Sequence, residues 1–386
     1  MPLALFALAI SAFGIGTTEF IINGLLPELA DDFGMTIPAA GLLVSGYAIG
    51  VAIGGPPLTM LGARLPRKTM LIALMGLFIA GNLLSALAPS YGVLMVGRFL
   101  AAFAHGAYFG VGSVVAADLV APQKRASAIA LMFTGLTLAN VVGVPLGTWI
   151  GQAFGWRSTF WVVVGIGIVA LIGVIALVPR QPRPEGAGIR GELATFKKGS
   201  VWLALAMTVF GFAPVFAIIT FIAPIMTGVG GFSPGAVPVV MALFGVGLVV
   251  GNLVGGKLAD RAVMPAIYGS VALLAGLSVV VALVAGNQIA FVVAIMLFGA
   301  AGFATASPLQ TRVLDAAAGA PLLASAANIG AFNVGNALGS FVAGLTIDAG
   351  LGYVAPAWTA AVLGVVGLGV AGIAGLQARR HALVTA

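Results

Sequence analysis

Long apolar stretches alternate with short polar segments along the whole chain. A helix needs about 20 apolar residues to cross the hydrocarbon core of a bilayer, and these stretches reach that length. Charges, prolines and glycine clusters mark the ends of twelve such stretches. They are predicted at residues 3–26, 40–61, 69–88, 92–116, 127–152, 158–179, 201–226, 234–257, 265–285, 289–311, 321–347 and 353–376. The pattern therefore predicts an all-α membrane protein with twelve transmembrane helices.

The composition agrees with this reading and excludes several other classes. Hydrophobic residues make up 61% of the chain and charged residues 7%, whereas a soluble domain carries about 25% charged residues. There is no cysteine, which excludes disulfides, thiolate metal sites and cysteine nucleophiles. The first apolar stretch has no basic segment before it and is longer than a signal-peptide core, so it is predicted to be a retained span.

The basic residues are concentrated in alternate loops. Of the 17 Lys and Arg residues, all but Arg98 and Arg157 lie in the loops after even-numbered spans or at the C-terminus. The positive-inside rule then places both termini and the polar segment 180–200 in the cytoplasm. The net charge of +7 is thus a topology signal, and no nucleic-acid partner is expected.

The two halves of the chain are related at a nearly constant offset of 197 residues. The matching pairs, the last of them after a slip of one residue, are Pro27 with Pro224, Gly50 with Gly247, Gly54 with Gly251, Asp118 with Asp315, and Asn140 with Asn336. Two similar six-helix halves are typical of secondary transporters. We therefore predict an N-terminal bundle at residues 1–179, a cytoplasmic linker at 180–200 and a C-terminal bundle at 201–386, related by pseudo-symmetry.

Charged residues inside the spans are confined to the N-terminal half. Glu19 is the only ionisable side chain from Met1 to Pro27, and Arg98 and His105 lie in the fourth span. A charge in the bilayer costs about 2.5–3.5 kcal/mol on insertion scales, so such residues are functional candidates. Glu19 and Arg98 are predicted at matching depths, where the two side chains can interact. The structural alternatives are a simple ion pair for Arg98 and a packed interface residue for His105.

Four segments carry motifs that point to a family. The loop "LGARLPRK" and its repeat copy "GKLADRAV" each keep part of the pattern G-x-L-A-D-R-x-G-R-R, with Ala63 and Pro66 as departures in the first copy. The fourth span contains "GRFLAAFAHGAYFG" and the fifth "GLTLANVVGVPLGTWIG", an altered form of a glycine-rich antiporter signature. The chain thus resembles the major facilitator superfamily, in its twelve-span drug:proton antiporter branch and near the arabinose-efflux and chloramphenicol-resistance-like exporters.

This resemblance implies roles for individual residues. Proton coupling is implied for Glu19, Arg98 and His105, with the proton as coupling ion and no other cofactor. Gating is implied for Arg64, Arg67, Lys68, Asp118, Gly143, Pro145, Asp260 and Arg261. For the loop residues, the alternative is that they are topology charges whose side chains reach the membrane–water interface. For Gly143 and Pro145 it is ordinary tight packing.

Polar and aromatic residues within the spans are the candidates for substrate binding. They are Asn23, Tyr47, Asn140, Phe216, Asn328, Asn333 and Asn336. Amides within spans also hydrogen-bond between helices, so packing is the alternative for the asparagines.

The expected function is transport and not enzymatic catalysis. The resemblance implies a monomer in the lipid bilayer of the bacterial inner membrane. It implies that this monomer exports drug-like or sugar-like small molecules by proton antiport, through alternating access. Uptake of a small solute on the same fold is the first alternative, and a non-transporting membrane scaffold or receptor is the second.

Overall fold

The structure, a computed structural model, describes residues 2–62, 65–121, 124–180, 195–317 and 321–385. Over these residues the chain is almost entirely helical, and twelve helical segments are long and apolar enough to cross a membrane. The predicted all-α membrane fold and its twelve spans are confirmed, because each predicted span overlaps an observed one. Arg64, a predicted gating residue, lies outside the described residues.

The chain divides into two compact units. The first contains residues 1–187 and 233–242, and the second contains residues 188–232 and 243–386. This division resembles the predicted halves, 1–179 and 201–386, except that 233–242 group with the first unit. The bounds of the predicted halves stay a prediction.

The first unit contains eight helices within its described residues before the polar segment. They are α1 Ala4–Gly24, α2 Leu26–Phe33, α3 Ile37–Gly62, α4 Arg67–Ala86, α5 Tyr91–Asp118, α6 Arg125–Leu138, α7 Val144–Phe154 and α8 Trp156–Leu177. A π-helical turn, Ala139–Gly143, joins α6 to α7 into one span. Helix α1 lies inside this unit against α6, α7 and α8, which is why apolar side chains all around it are buried.

The helices that follow the polar segment belong to the second unit, except for the start of one. They are α9 Gly199–Ile219, α10 Ile222–Gly228, α11 Ala236–Arg261, α12 Val263–Val284, α13 Gln288–Ala304, α14 Ala306–Ala316, α15 Pro321–Thr346 and α16 Ala355–Thr385. Helix α11 begins within the segment 233–242 of the first unit. In the second unit α9 packs against α15 and α16, as α1 packs against α6 to α8 in the first.

Prolines shorten the first span of each repeat. The first and seventh spans were predicted to reach residues 26 and 226, but α1 ends at Gly24 and α9 at Ile219. Pro27 and Pro224 then lie in the first turns of the short helices α2 and α10. Proline has no N–H to continue the preceding helix, so the chain breaks before it. The two breaks occur at matching positions of the repeat.

The repeated glycines mark equivalent close contacts between helices. A Cβ atom at Gly50 would lie 2.8 Å from the Cβ of Ala102 on α5, and one at Gly247 would overlap the main chain of Met296 on α13. Small residues allow the backbones of neighbouring helices to approach in this way. The second and fourth spans of each repeat therefore make the same contact, which supports the predicted relation between the halves.

Candidate functional site

The candidate site begins with a carboxyl group in the interior of the first unit. Glu19 lies near the C-terminal end of α1, and only 8% of the residue is exposed. No ion pair among the described residues includes it. A buried carboxyl group without a salt-bridge partner is costly to keep charged, so its position requires an explanation beyond packing.

Arg98 on α5 is the buried cation beside this carboxyl group, and it is fully buried. Its guanidinium donates through one terminal nitrogen to the carbonyl oxygen of Thr18, and through the other to that of Glu19 at 3.4 Å. The predicted proximity of Glu19 and Arg98 is therefore present. The contact, however, is to the main chain of α1, and the Arg98 Nε atom has no hydrogen-bond partner.

Two further residues extend the cluster along α5 and α3. The Arg98 guanidinium lies 4.1 Å from the centre of the Tyr47 ring, a cation–π contact, and the Tyr47 hydroxyl is 3.2 Å from Nδ1 of His105. The His105 ring in turn packs against Phe109 at 5.1 Å between centroids. Tyr47, predicted as a substrate-binding residue, thus lies between the two predicted proton-coupling residues of α5. We call Glu19, Tyr47, Arg98 and His105 the charged cluster.

A hydrogen bond to α4 fixes the same turn of α1 from another side. The Thr18 hydroxyl donates to Oδ1 of Asn82 at 2.5 Å, and the Asn82 amide donates to the carbonyl of Phe78 at 2.8 Å. All three side chains are buried. Neither Thr18 nor Asn82 was among the predicted site residues. The sequence could have indicated them, because both are polar residues inside otherwise apolar spans.

The altered signature of the fifth span forms the π-helical turn beside α1. A Cβ atom at Gly143 would lie within 3.2 Å of the Phe13 ring and would overlap Oγ1 of Thr17, so the two helices touch at this glycine. Pro145 follows in the first turn of α7, and Asn140 turns its amide to the carbonyl of Leu136 at 3.1 Å. This geometry is tight packing against the helix that carries Glu19.

Asn23 lies one turn after Glu19 and differs from Asn140, the other candidate asparagine of the first unit. It is fully buried, and neither its amide nitrogen nor its carbonyl oxygen has a hydrogen-bond partner. A buried amide without partners costs about 1–3 kcal/mol, so a water molecule or a ligand group is expected to meet it.

In the second unit the predicted residues are buried on α9 and α15. Phe216 is 1% exposed. Asn328 donates to Oε1 of Gln310 at 2.7 Å and Asn333 to the carbonyl of Ile329 at 2.9 Å. The carbonyl oxygens of Asn328, Asn333 and Asn336 have no donor. Asn328 therefore donates a hydrogen bond between helices and Asn333 one within its own helix, and all three asparagines keep a carbonyl oxygen without a partner.

The predicted gating residues of the first unit make contacts inside that unit. Arg67 forms an ion pair with Asp118, and Arg125 lies 3.8 Å from the same carboxylate. Lys68 donates to the carbonyl of Ile175 at 2.6 Å, which joins the start of α4 to the end of α8. In the second unit Asp260 and Arg261 are exposed, and neither makes an ion pair with a described residue.

A second polar cluster joins α2 to α8 at the opposite end of the first unit. Asp32 accepts hydrogen bonds from the indole of Trp156 at 3.1 Å and from Arg157 at 3.0 Å, and Arg157 also donates to the carbonyl of Ala88. Nearby on α2, burial raises the pKa of Glu28. In the described part of the chain no three His, Asp or Glu side chains form a group that could hold a metal ion.

Known proteins are similar to this chain in sequence and in fold. Residues 8–344 match the family model of the Major Facilitator Superfamily. The chain is 45% identical over 349 residues to the inner membrane transport protein YdhP of Escherichia coli (strain K12), with 90% of each chain covered. It is 36% identical over 377 residues to a chloramphenicol resistance protein of Streptomyces lividans, with 96% of each covered.

A solved structure gives the same fold at low sequence identity. The xylose transporter XylE from E. coli matches with a TM-score of 0.76 and 16% identity, over 95% of each chain. The resemblance inferred from the motifs is therefore confirmed, and the chain is a membrane transporter of small solutes and not an enzyme. It belongs to the Major Facilitator Superfamily.

Proposed function

We propose that this transporter exports small molecules from the cell in exchange for protons, by alternating access. Glu19 takes up the proton on one side of the membrane and releases it on the other. Proton and substrate compete for this carboxyl group, so each weakens the binding of the other. The inward flow of protons then drives the substrate outward.

The observation that carries this proposal is the buried carboxyl group of Glu19, which has no ion pair among the described residues. The neighbouring cation, Arg98, is engaged by two main-chain carbonyls and by the Tyr47 ring. An intramembrane acid of this kind is a functional candidate by default. A rearrangement that brought the guanidinium closer to the carboxylate, or moved it away, would change the proton affinity of Glu19.

The remaining members of the charged cluster follow from the same geometry. The charge of Arg98 sets the electrostatic potential around Glu19, and Tyr47 holds the guanidinium. His105 lies at the end of this series of contacts and accepts or donates a proton through its 3.2 Å contact with Tyr47. We assign substrate binding to the buried asparagines that keep unpartnered polar atoms, Asn23 in the first unit and Asn328, Asn333 and Asn336 in the second.

The direction and the substrate class rest on relatives and on composition. The similarity to a chloramphenicol resistance protein, over 96% of each chain, supports export of a drug-like compound. A single acid among apolar walls and amides suits a neutral or cationic amphipathic molecule. The distribution of basic residues supports an inner-membrane protein with both termini in the cytoplasm, and we propose that it works as a monomer.

The test uses inverted membrane vesicles that carry a pH gradient reported by a fluorescent dye. Antibiotics, sugars and nucleosides are added in turn to vesicles with wild-type protein and with Glu19→Gln, which keeps the size of the side chain and removes its charge. Asp31→Asn is the matched control, because Asp31 is an exposed acid on the adjacent helix α2. We expect one class of compound to release protons in the wild type and the control, and none to do so in Glu19→Gln.

Two results would overturn the proposal. If a compound releases protons equally in Glu19→Gln, the carboxyl group does not couple transport. If compounds accumulate without any proton release in all three proteins, the chain is a facilitator on the same fold, and uptake of a small solute becomes the better assignment.

A further inference from the structure

The second unit contains a cleft that is not part of the charged cluster. It lies where the start of α9 meets α14 and α16, and its volume is about 900 Å³. Its lining includes Lys198, Trp202, Leu203, Ala206, Arg312, Ala374 and Gln377. The site is separate from the charged cluster, which belongs to the first unit.

Two cations of this cleft lack an anionic partner. Lys198 is exposed just before α9, and Arg312 on α14 is partly buried, with an Nε atom that is buried and has no hydrogen-bond partner. Among the described residues, no ion pair joins either cation to a carboxylate. The acid nearest in sequence, Asp315, is exposed. A guanidinium with a buried, unsatisfied N–H favours an anion with several acceptor oxygens.

One wall of the cleft is apolar, and the cleft lies at the start of the span that α9 forms. Leu203, Ala206 and Ala374 form its wall. Trp202 is 60% exposed, and its indole N–H is held by the carbonyl of Phe196 at 2.7 Å. Exposed tryptophans with one satisfied polar edge are typical of the boundary between headgroups and hydrocarbon. Cations beside an apolar wall match the anionic headgroup and the acyl chains of a phospholipid.

We infer that this cleft binds an anionic phospholipid of the membrane. The phosphate lies between Lys198 and Arg312, Gln377 adds a hydrogen-bond donor, and an acyl chain runs along Leu203, Ala206 and Ala374. Basic pockets between transmembrane helices on the cytoplasmic side are suited to anionic headgroups, and this side carries the basic loops of the chain. A free phosphate would satisfy the cations but would leave the apolar wall without a function.

The experiment is native mass spectrometry of the purified full-length protein in detergent. Dioleoyl phosphatidylglycerol is titrated against wild type, Lys198→Gln, Arg312→Gln and the double variant that carries both substitutions. The matched control is Lys257→Gln, which removes one exposed charge from the same unit outside the cleft. Dioleoyl phosphatidylcholine, with the same chains and no net charge, and inorganic phosphate are the competing probes. Thermal unfolding without added lipid shows whether each variant is folded.

The expected result is a bound phosphatidylglycerol that survives in the control. A basic residue near an anionic headgroup contributes about 1 kcal/mol, so each single variant should weaken binding about fivefold and the double variant about 25-fold. Lys198 is exposed, and its substitution therefore tests the site even if Arg312→Gln fails to fold. Equal binding of phosphatidylcholine, full displacement by inorganic phosphate, or an equal loss in Lys257→Gln would overturn the inference.

Discussion

At the scale of single residues, Arg98 is the side chain that organises the charged cluster. It joins α5 to two consecutive carbonyls near the end of α1 and at the same time covers the Tyr47 ring of α3. These three contacts use the planar shape and the spread of donors of a guanidinium. The charge is therefore held in the membrane interior mainly by main-chain dipoles and an aromatic face.

This arrangement predicts that Arg98→Lys is not a conservative change. An ammonium group keeps the charge, but it cannot reach both carbonyls and lie flat over Tyr47, and hydrogen bonds that involve charged groups contribute about 1.5–3 kcal/mol. We expect a lower melting temperature in detergent and a loss of proton-coupled transport. Arg125→Lys is the control, because the Arg125 side chain is 54% exposed and lies 3.8 Å from its partner. Equal melting of the two variants would show that the carbonyl contacts do not hold α1.

The sequence predicted the members of the cluster better than their contacts. Glu19, Arg98 and His105 stand out as polar residues within apolar spans, and the structure buries all three, while their roles stay a prediction. The contact between Arg98 and the main chain of Thr18 depends on how each helix is rotated about its axis. Hydropathy carries little information on rotation when a helix is apolar on all sides. For the same reason the Thr18–Asn82 hydrogen bond was missed.

A titratable residue outside the spans gives a prediction in pH. Burial raises the pKa of Glu28 from 4.5, so the folded state holds its proton more tightly than the unfolded state does. Stability from this group is complete below about pH 4.5 and is lost as the pH rises through the folded pKa. Glu28→Gln should therefore melt above the wild type at pH 8, and the difference should disappear near pH 4.5. Asp348→Asn, at an exposed acid of the second unit, is the control variant.

At the scale of helices, glycines set how closely the spans approach. Gly251 on α11 faces the main chain of Ala300 on α13, and a Cβ atom there would overlap it. A backbone cannot rotate away as a flexible side chain can, so the helices must separate. The position repeats Gly54 of the first unit, where a Cβ atom would meet the Phe103 ring and main chain. The repeat in the sequence is thus a repeat of helix contacts.

We expect Gly251→Ala to destabilise the protein by about 1–3 kcal/mol, the usual cost of overpacking. Gly276→Ala on α12 is the matched control, because nothing lies within 4 Å of the position of its Cβ atom. There alanine only improves helix propensity, by up to about 1 kcal/mol. Thermal unfolding of the two variants in the same detergent measures the difference. A Gly251→Ala protein as stable as the control would mean that this contact is looser than its geometry indicates.

At the scale of the whole molecule, charge decides how the chain crosses the membrane. Of the 17 basic residues, Arg157 alone was predicted in a loop on the outer side. The structure pairs it with Asp32 at 3.0 Å, so its charge is compensated there. The Arg157 exception therefore does not oppose the positive-inside rule, and the remaining loop charges all favour one orientation.

This orientation predicts opposite results for two reporter fusions. Green fluorescent protein fused after Ala386 should be fluorescent, because it folds in the cytoplasm, and alkaline phosphatase at that position should be inactive. Alkaline phosphatase fused after Gly34, at the end of α2, should be active, because the predicted orientation places the loop after the first span on the outer side. The reverse pattern would show that the protein is inserted in the membrane in the opposite orientation. Protons that enter from outside would then reach the site from its other end, but the proton gradient would still drive substrate outward, because obligatory exchange at Glu19 couples the two flows in either orientation.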